Sequence, residues 1–163
     1  MSLTIAVENV RRPGISELIA LSDAYSDERY PPEGNFATAI DDLDVPNIVL
    51  VVARASADAM GCVGLKFEPD GTAELKRLFV HPGARGNGLG RKLMDFLEAL
   101  ARGRRVKRIN LETGPLNNEA VKLYQIYGYV ACGPFGDYQE NPYSLFMTKD
   151  LGVTAQIEGA ARA

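Results

Sequence analysis

Apolar and polar positions change period several times along the chain, and each change marks an element. Residues 4–8 alternate as a strand. Pro13 suits a helix start, and a helix over about 13–25 sets Ile15, Leu18, Ile19 and Ser22 on one side. Two prolines and a glycine within 30–35 end that pattern, and a short helix is expected over 36–43. Residues 47–54 form an apolar run that reads as a buried strand, with a turn over 55–59 and a return strand over 61–68. Pro69-Asp70-Gly71 is a turn, because proline presets the first dihedral and glycine accepts a positive one. A strand ending at Val80 follows. Leu89, Leu93, Phe96, Leu97 and Leu100 then recur at helical spacing. A strand over 107–112, a helix over about 118–127 stopped by Gly128, and strands over 129–132 and 144–149 complete the pattern. The order β, helices, β-β-β, α, β, α, β, β predicts an α/β fold with a mixed sheet covered by helices on both faces.

Composition narrows the function classes. A chain of 163 residues suits one domain, expected over 1–150, with 151–163 as a loose tail. A net charge of -3 argues against a general nucleic-acid binder. The basic cluster Arg102, Arg104, Arg105, Lys107 and Arg108 reads as a solvated helix end. Cys62, Cys132 and the single His81 have no metal-ligand spacing, so no metal is expected, and a reduced interior is preferred to a disulfide. The apolar run 48–53 is too short to span a bilayer, and no signal peptide is visible, so a cytoplasmic protein without a membrane partner is expected.

Two stretches carry candidate chemistry. Arg85-Gly86-Asn87-Gly88-Leu89-Gly90 lies between a strand and a helix, and Arg91 follows. Glycines let the backbone approach a ligand, and the unpaired N–H groups at a helix start favour a pyrophosphate; a tight turn without a ligand is the alternative. The second stretch begins Leu111-Glu112-Thr113-Gly114 and contains Asn117, Ala120, Leu123, Tyr124, Gly128 and Tyr129. Asn117 or Asn118 is the expected helix cap.

Together the two stretches resemble the GNAT superfamily of acyl-CoA-dependent N-acyltransferases. Arg85, Gly88 and Gly90 fit its phosphate-loop pattern, and Asn117 through Tyr129 fit its later helix motif in register. The strand end Leu111-Glu112-Thr113-Gly114, the loop Pro134-Phe135-Gly136-Asp137-Tyr138 and the segment Tyr30-Pro31-Pro32-Glu33 resemble a group of small bacterial members. The resemblance implies a central pair of strands that splay apart, with acetyl-CoA as the acyl donor in the gap.

It also implies roles for single residues. Tyr124 becomes the candidate general acid for the departing thiolate, against a purely packed aromatic. Glu74 becomes the candidate base, against a strand carboxylate paired with Lys76 or Arg77. Leu78, Phe79 and Val80 would pair the pantetheine amides through their backbone. Asn117 would hold the same arm or cap its helix. Residues 85–91 would bind phosphate, with Arg91 the weaker member because a solvated helix face explains it too. Tyr30, Glu33, Arg77 and Tyr138 would border the acceptor, and Arg77 could hold a substrate carboxylate or pair with an acid. The expected acceptor is a small amine. A protein lysine or N-terminus, and a non-catalytic acyl-CoA sensor, are the alternatives; a homodimer is left open.

Overall fold

The longest apolar run of the chain becomes strand β2 (Ile48–Ala55), and its neighbours explain its composition. Leu50, Val51, Val52 and Ala53 are all buried, because β2 is covered on both faces and neither face needs polar residues. In the computed structural model, which describes residues 2–152, the other strands are β1 (Leu3–Glu8), β3 (Asp58–Phe67), β4 (Thr72–Val80), β5 (Arg108–Thr113), β6 (Val130–Cys132) and β7 (Leu145–Asp150). They form one seven-stranded sheet in the order β1-β2-β3-β4-β5-β7-β6. β4 and β5 run parallel, and the other five neighbouring pairs run antiparallel. The parallel pair needs a crossover, which helix α3 (Leu89–Gly103) supplies.

Two cores follow from the two faces. One gathers Leu93, Met94 and Leu97 of α3 and Tyr124 of helix α4 (Asn118–Ile126) onto Val51, Val63, Leu65, Leu75, Ile109 and Leu111. The other packs Ile15, Leu18 and Ile19 of helix α1 (Ile15–Asp27) and Leu43 of helix α2 (Ile40–Leu43) onto Leu50, Val52, Cys62 and Phe79.

The site is set by where β4 stops following its neighbour. β4 and β5 are paired only from Thr72↔Arg108 to Leu75↔Leu111. β4 then runs on to Val80 paired with β3 alone, while β5, paired with β7 throughout, continues to Thr113 with β7 alone. The sheet therefore opens between Lys76–Val80 and the end of β5. The β3–β4 register also shifts between Cys62 and Gly64, leaving an extra β4 residue near Arg77, whose φ is 56°. This bulge flips the alternation. Ala73 and Leu75 face α3 and α4, and beyond the bulge it is Leu78 and Val80 that join that core while Phe79 joins the α1 core.

Several boundaries differ from expectation. The helix expected over 36–43 is only Ile40–Leu43, and a short 3-10 turn occupies Pro32–Gly34. The β2–β3 connection is tighter than 55–59, since Ala55 pairs with Asp58 and Ser56 takes a φ of 54°. Leu151 is not loose: it is buried, and its N–H donates to the Lys107 carbonyl. The rest of the expected tail, 153–163, lies outside the described residues. Among the described residues no helix is long and apolar enough to cross a membrane, and no cluster of metal-ligating side chains occurs.

Candidate active site

The glycines after β4 shape the start of α3. Gly86 and Gly88 have φ of 84° and 75°, a left-handed backbone that a side chain would strain. A Cβ at either would meet nothing within 4 Å, so the demand is conformational rather than steric. The helix ladder begins with Lys92 N–H donating to the Gly88 carbonyl. The N–H groups of Leu89, Gly90 and Arg91 thus have no carbonyl one turn back, and the positive end of α3 opens where they lie. Gly90 is needed for packing instead, since a Cβ there would come within 3.1 Å of Leu123 Cδ2 on α4.

This helix start closes one end of a cleft of about 500 Å³. Leu78, Phe79 and Val80 of β4 form its floor, and Ala120, Leu123 and Ile126 of α4 form a wall. His81 N–H donates to the Met60 carbonyl on β3. Backbone alternation then turns the Val80 carbonyl away from β3, and it accepts instead from Arg85 Nε at 3.1 Å. Arg85 lies 5.4 Å from the Tyr25 ring and 5.5 Å from the Phe79 ring, within cation–π range of both.

The cleft meets a smaller chamber, of about 120 Å³, at Leu78 and Asn117. The chamber lies where β4 and β5 part, and its walls hold Glu74, Glu112, Tyr124 and Tyr138. Aromatic packing covers it. Tyr138 sits 6.0 Å from Phe36 and 5.6 Å from Phe146, ring centre to ring centre. A Cβ at Gly34 would collide with the Tyr143 ring, so the loop after α1 lies against the loop before β7.

Three side chains clasp the junction. Tyr30 hydroxyl donates to Asn117 Oδ1 at 3.1 Å and accepts from Leu116 N–H at 2.9 Å, while Asn117 Nδ2 donates to Thr113 Oγ1 at 3.3 Å. Gly114 permits this, because a Cβ there would overlap the Tyr30 hydroxyl. Asn117 is therefore not a side-chain cap of α4. Its amide is held in the junction by a residue 87 positions away, which no local pattern could reveal.

The expected site residues divide on inspection. Leu78, Phe79, Val80, Arg85, Gly86, Gly88, Leu89, Gly90, Arg91 and Asn117 all line the cleft. Asn87 stays in the loop without lining it, its Nδ2 donating to the Ala84 carbonyl. Glu74, Tyr124, Tyr30, Arg77 and Tyr138 line the chamber. Glu33 does not: it is exposed on the Pro32–Gly34 turn, outside the lining. Arg77 is already engaged, with Nη1 2.7 Å from Asp23 Oδ1 and Nε donating to the Thr38 carbonyl. Three partners, counting Ser22, also hold its left-handed backbone in place.

The electrostatics of the chamber follow from burial. Tyr124 is only 4 % exposed, and burial, aided by the negative charge of Glu112, pushes its phenol above the ordinary range, so the proton stays on. Glu74 Oε2 accepts from Tyr138 hydroxyl at 2.7 Å and from Lys76 Nζ at 3.1 Å. Glu112 had no assigned role in the sequence. Its carboxyl is pushed up by burial, with Glu74 acting in the same sense and the Ser144 bond opposing. The available signal was its position at the end of the strand beside the glycine. Cys62 is buried, its thiol pushed up to about 12, and it donates to the Arg77 carbonyl, so it has no part in this chemistry.

Comparison with known proteins joins this geometry to a family. The acetyltransferase (GNAT) family model matches residues 15–129, which span α1, the glycine loop and α4. The chain belongs to the acetyltransferase (GNAT) family. It is 37 % identical over 151 residues to the IAA acetyltransferase of Azospirillum brasilense, covering 92 % of this chain and 99 % of that one. A solved structure from Klebsiella pneumoniae, named as a candidate acyl-CoA N-acyltransferase, is 31 % identical, with a TM-score of 0.77 over 91 % of this chain and 97 % of that one. The PaiA N-acetyltransferase of Thermoplasma acidophilum, solved with coenzyme A, shares the fold at 18 % identity, with a TM-score of 0.72 over 92 % of this chain and 99 % of that one. Membership in the GNAT family makes the protein an acyl-CoA-dependent acetyltransferase. Its open strand pair is the feature that the family resemblance leads one to expect.

Proposed function

We propose that the protein moves the acetyl group of acetyl-CoA to the primary amine of a small polar molecule, by direct attack within a ternary complex. The observation that carries this reading is the meeting of two cavities. A cleft with unpaired helix-start N–H groups joins a small, polar chamber at Leu78 and Asn117, with Tyr124 on the chamber wall. The pyrophosphate binds at Gly88–Arg91, where N–H groups and the helix dipole favour anions, and Arg85 and Arg91 offset its charge. The pantetheine arm runs along Leu78–Val80, where β4 has lost its neighbour, and its amides pair with the free strand edge. Asn117, held by Tyr30 and Thr113, contacts the same arm. The PaiA structure, solved with coenzyme A, supports a donor of this class.

The chemistry needs three proton transfers. The acceptor ammonium gives its first proton to Glu74, and the neutral amine attacks the thioester carbonyl. The C–S bond breaks, Tyr124 protonates the departing sulfur, and the second amine proton restores the phenol. A buried phenol that keeps its proton suits that donor. The chamber's small volume, about 120 Å³, favours a small acceptor over a lysine on a folded protein.

One experiment tests the reading. Calorimetry with acetyl-CoA should show binding to the native protein and none to Gly88→Glu, which fills and charges the loop. Free-thiol release over a panel of amines, with IAA included because of the Azospirillum relative, should show turnover. Tyr124→Phe should keep acetyl-CoA affinity and lose about ten- to a thousand-fold in turnover, the range for one acid or donor. Unchanged affinity in a folded Gly88→Glu protein would remove the cleft assignment. Binding without turnover across the panel would leave a sensor module.

A further inference from the structure

One charge in the chamber has no opposite partner. The charged residues in its lining are Glu74, Lys76, Arg77 and Glu112. Lys76 Nζ is 3.1 Å from Glu74 Oε2, and Arg77 Nη1 is 2.7 Å from Asp23 Oδ1. Glu112 forms no such pair among the described residues. Its Oε2 accepts from Ser144 Oγ at 2.7 Å, a neutral donor. Ser144 Oγ in turn accepts from Asn141 Nδ2 at 3.0 Å, so its single proton is committed to Glu112. Glu112 Oε1 carries no hydrogen bond from the described residues.

The position of Glu112 is equally specific. It is the first β5 residue beyond the last β4–β5 pair, Leu75↔Leu111, and so stands where the sheet opens. Its negative charge is felt by Tyr30, Tyr124 and Tyr138, which line the chamber. Lys76 reaches it weakly and does not outweigh burial.

Resting on the acetyl-CoA reading above, we infer that Glu112 receives the acceptor's ammonium and that the chamber selects amines carrying no carboxylate of their own. A cation there gains the one carboxylate without an ion pair, within reach of the proposed acid Tyr124. An acceptor carboxylate would find both lining cations already paired, Lys76 with Glu74 and Arg77 with Asp23, and would face the unpaired like charge of Glu112. Amino acids are therefore poor acceptors. Simple alkylamines and diamines are favoured, with the rings of Tyr138 and Phe36 against the alkyl portion. The sequence-based option that Arg77 holds a substrate carboxylate gives way to its bonds with Asp23, Ser22 and Thr38.

The test compares amines of one length at saturating acetyl-CoA, by kcat/KM from free-thiol release: n-butylamine, 1,4-diaminobutane, 4-aminobutanamide and 4-aminobutanoate. The amide and the acid are nearly the same size and differ in charge. The native protein should prefer the amide to the acid by about tenfold or more, since like-charge contact is costly. Glu112→Gln keeps the shape and the Ser144 bond, and should narrow that ratio by lowering the rates of the first three amines. Glu112→Asp keeps the charge and should preserve the ratio. Equal use of amide and acid, an unchanged ratio in Glu112→Gln, or no turnover of all four by protein that binds acetyl-CoA would each overturn the inference. Failure to bind acetyl-CoA would remove the reading beneath it as well.

Discussion

Burial gives Glu112 a cost that can be measured apart from catalysis. Its carboxyl lies above the ordinary glutamate value near 4.5, chiefly through burial. Between that value and the raised one the folded state binds more protons than the unfolded state. Stability therefore falls as pH rises through that window, and the full penalty is present above it. Glutamine does not titrate and can still accept from Ser144. Glu112→Gln should thus melt higher than the native protein at pH 8, with the difference shrinking as pH falls through that window and gone below about pH 4.5. Thermal melts at a series of pH values check this, and a constant difference would mean that the charge is not the cause. Tyr124 shows the other side of burial at the same scale. It belongs both to the α3–α4 core and to the chamber wall, so the packed and the catalytic readings of this tyrosine are compatible.

At the scale of elements, the junction between cleft and chamber depends on a strand end, a loop and a helix start. Thr113 ends β5, Gly114 admits the Tyr30 hydroxyl, and Asn117 precedes α4. Tyr30→Phe removes two hydrogen bonds and should cost roughly 1–3 kcal/mol by denaturant unfolding. Gly114→Ala breaks the same clasp from the other side by displacing the hydroxyl. The two substitutions should be strongly non-additive, the double variant falling little below the worse single one. Simple additivity in both stability and turnover would show that Gly114 does not act through Tyr30. The bulge at Arg77 works at this scale too. By flipping the alternation it turns Leu78 and Val80 to the core they share with α4 and sends Phe79 to α1.

For the molecule as a whole, acetyl-CoA should bridge four elements at once. The cleft is lined from α1, β4, α3 and α4. Saturation at about a hundred times Kd should add about 2.7 kcal/mol to stability, seen as a raised Tm, and Gly88→Glu should lose the effect. An equal rise in Gly88→Glu would place the nucleotide elsewhere. The elements themselves were largely legible in the chain. Alternation marks β1, the apolar run marks β2, and the spacing of Leu89, Leu93 and Leu97 marks α3, because local periodicity reports which face is buried. The glycine loop was legible for a similar reason, since a left-handed backbone at Gly86 and Gly88 is a local demand. Contacts between distant segments were not. Tyr30 meets Asn117 across 87 positions, and Ser144 meets Glu112 across 32. Arg77 and Glu33 were both expected at the border of the acceptor, yet one is bound to Asp23 and the other lies outside the chamber. The sequence alone determined the elements, the glycine loop and the family. Only the tertiary structure decided which charges are neutralised and which remain to meet a substrate, because charge pairing depends on distances that folding sets.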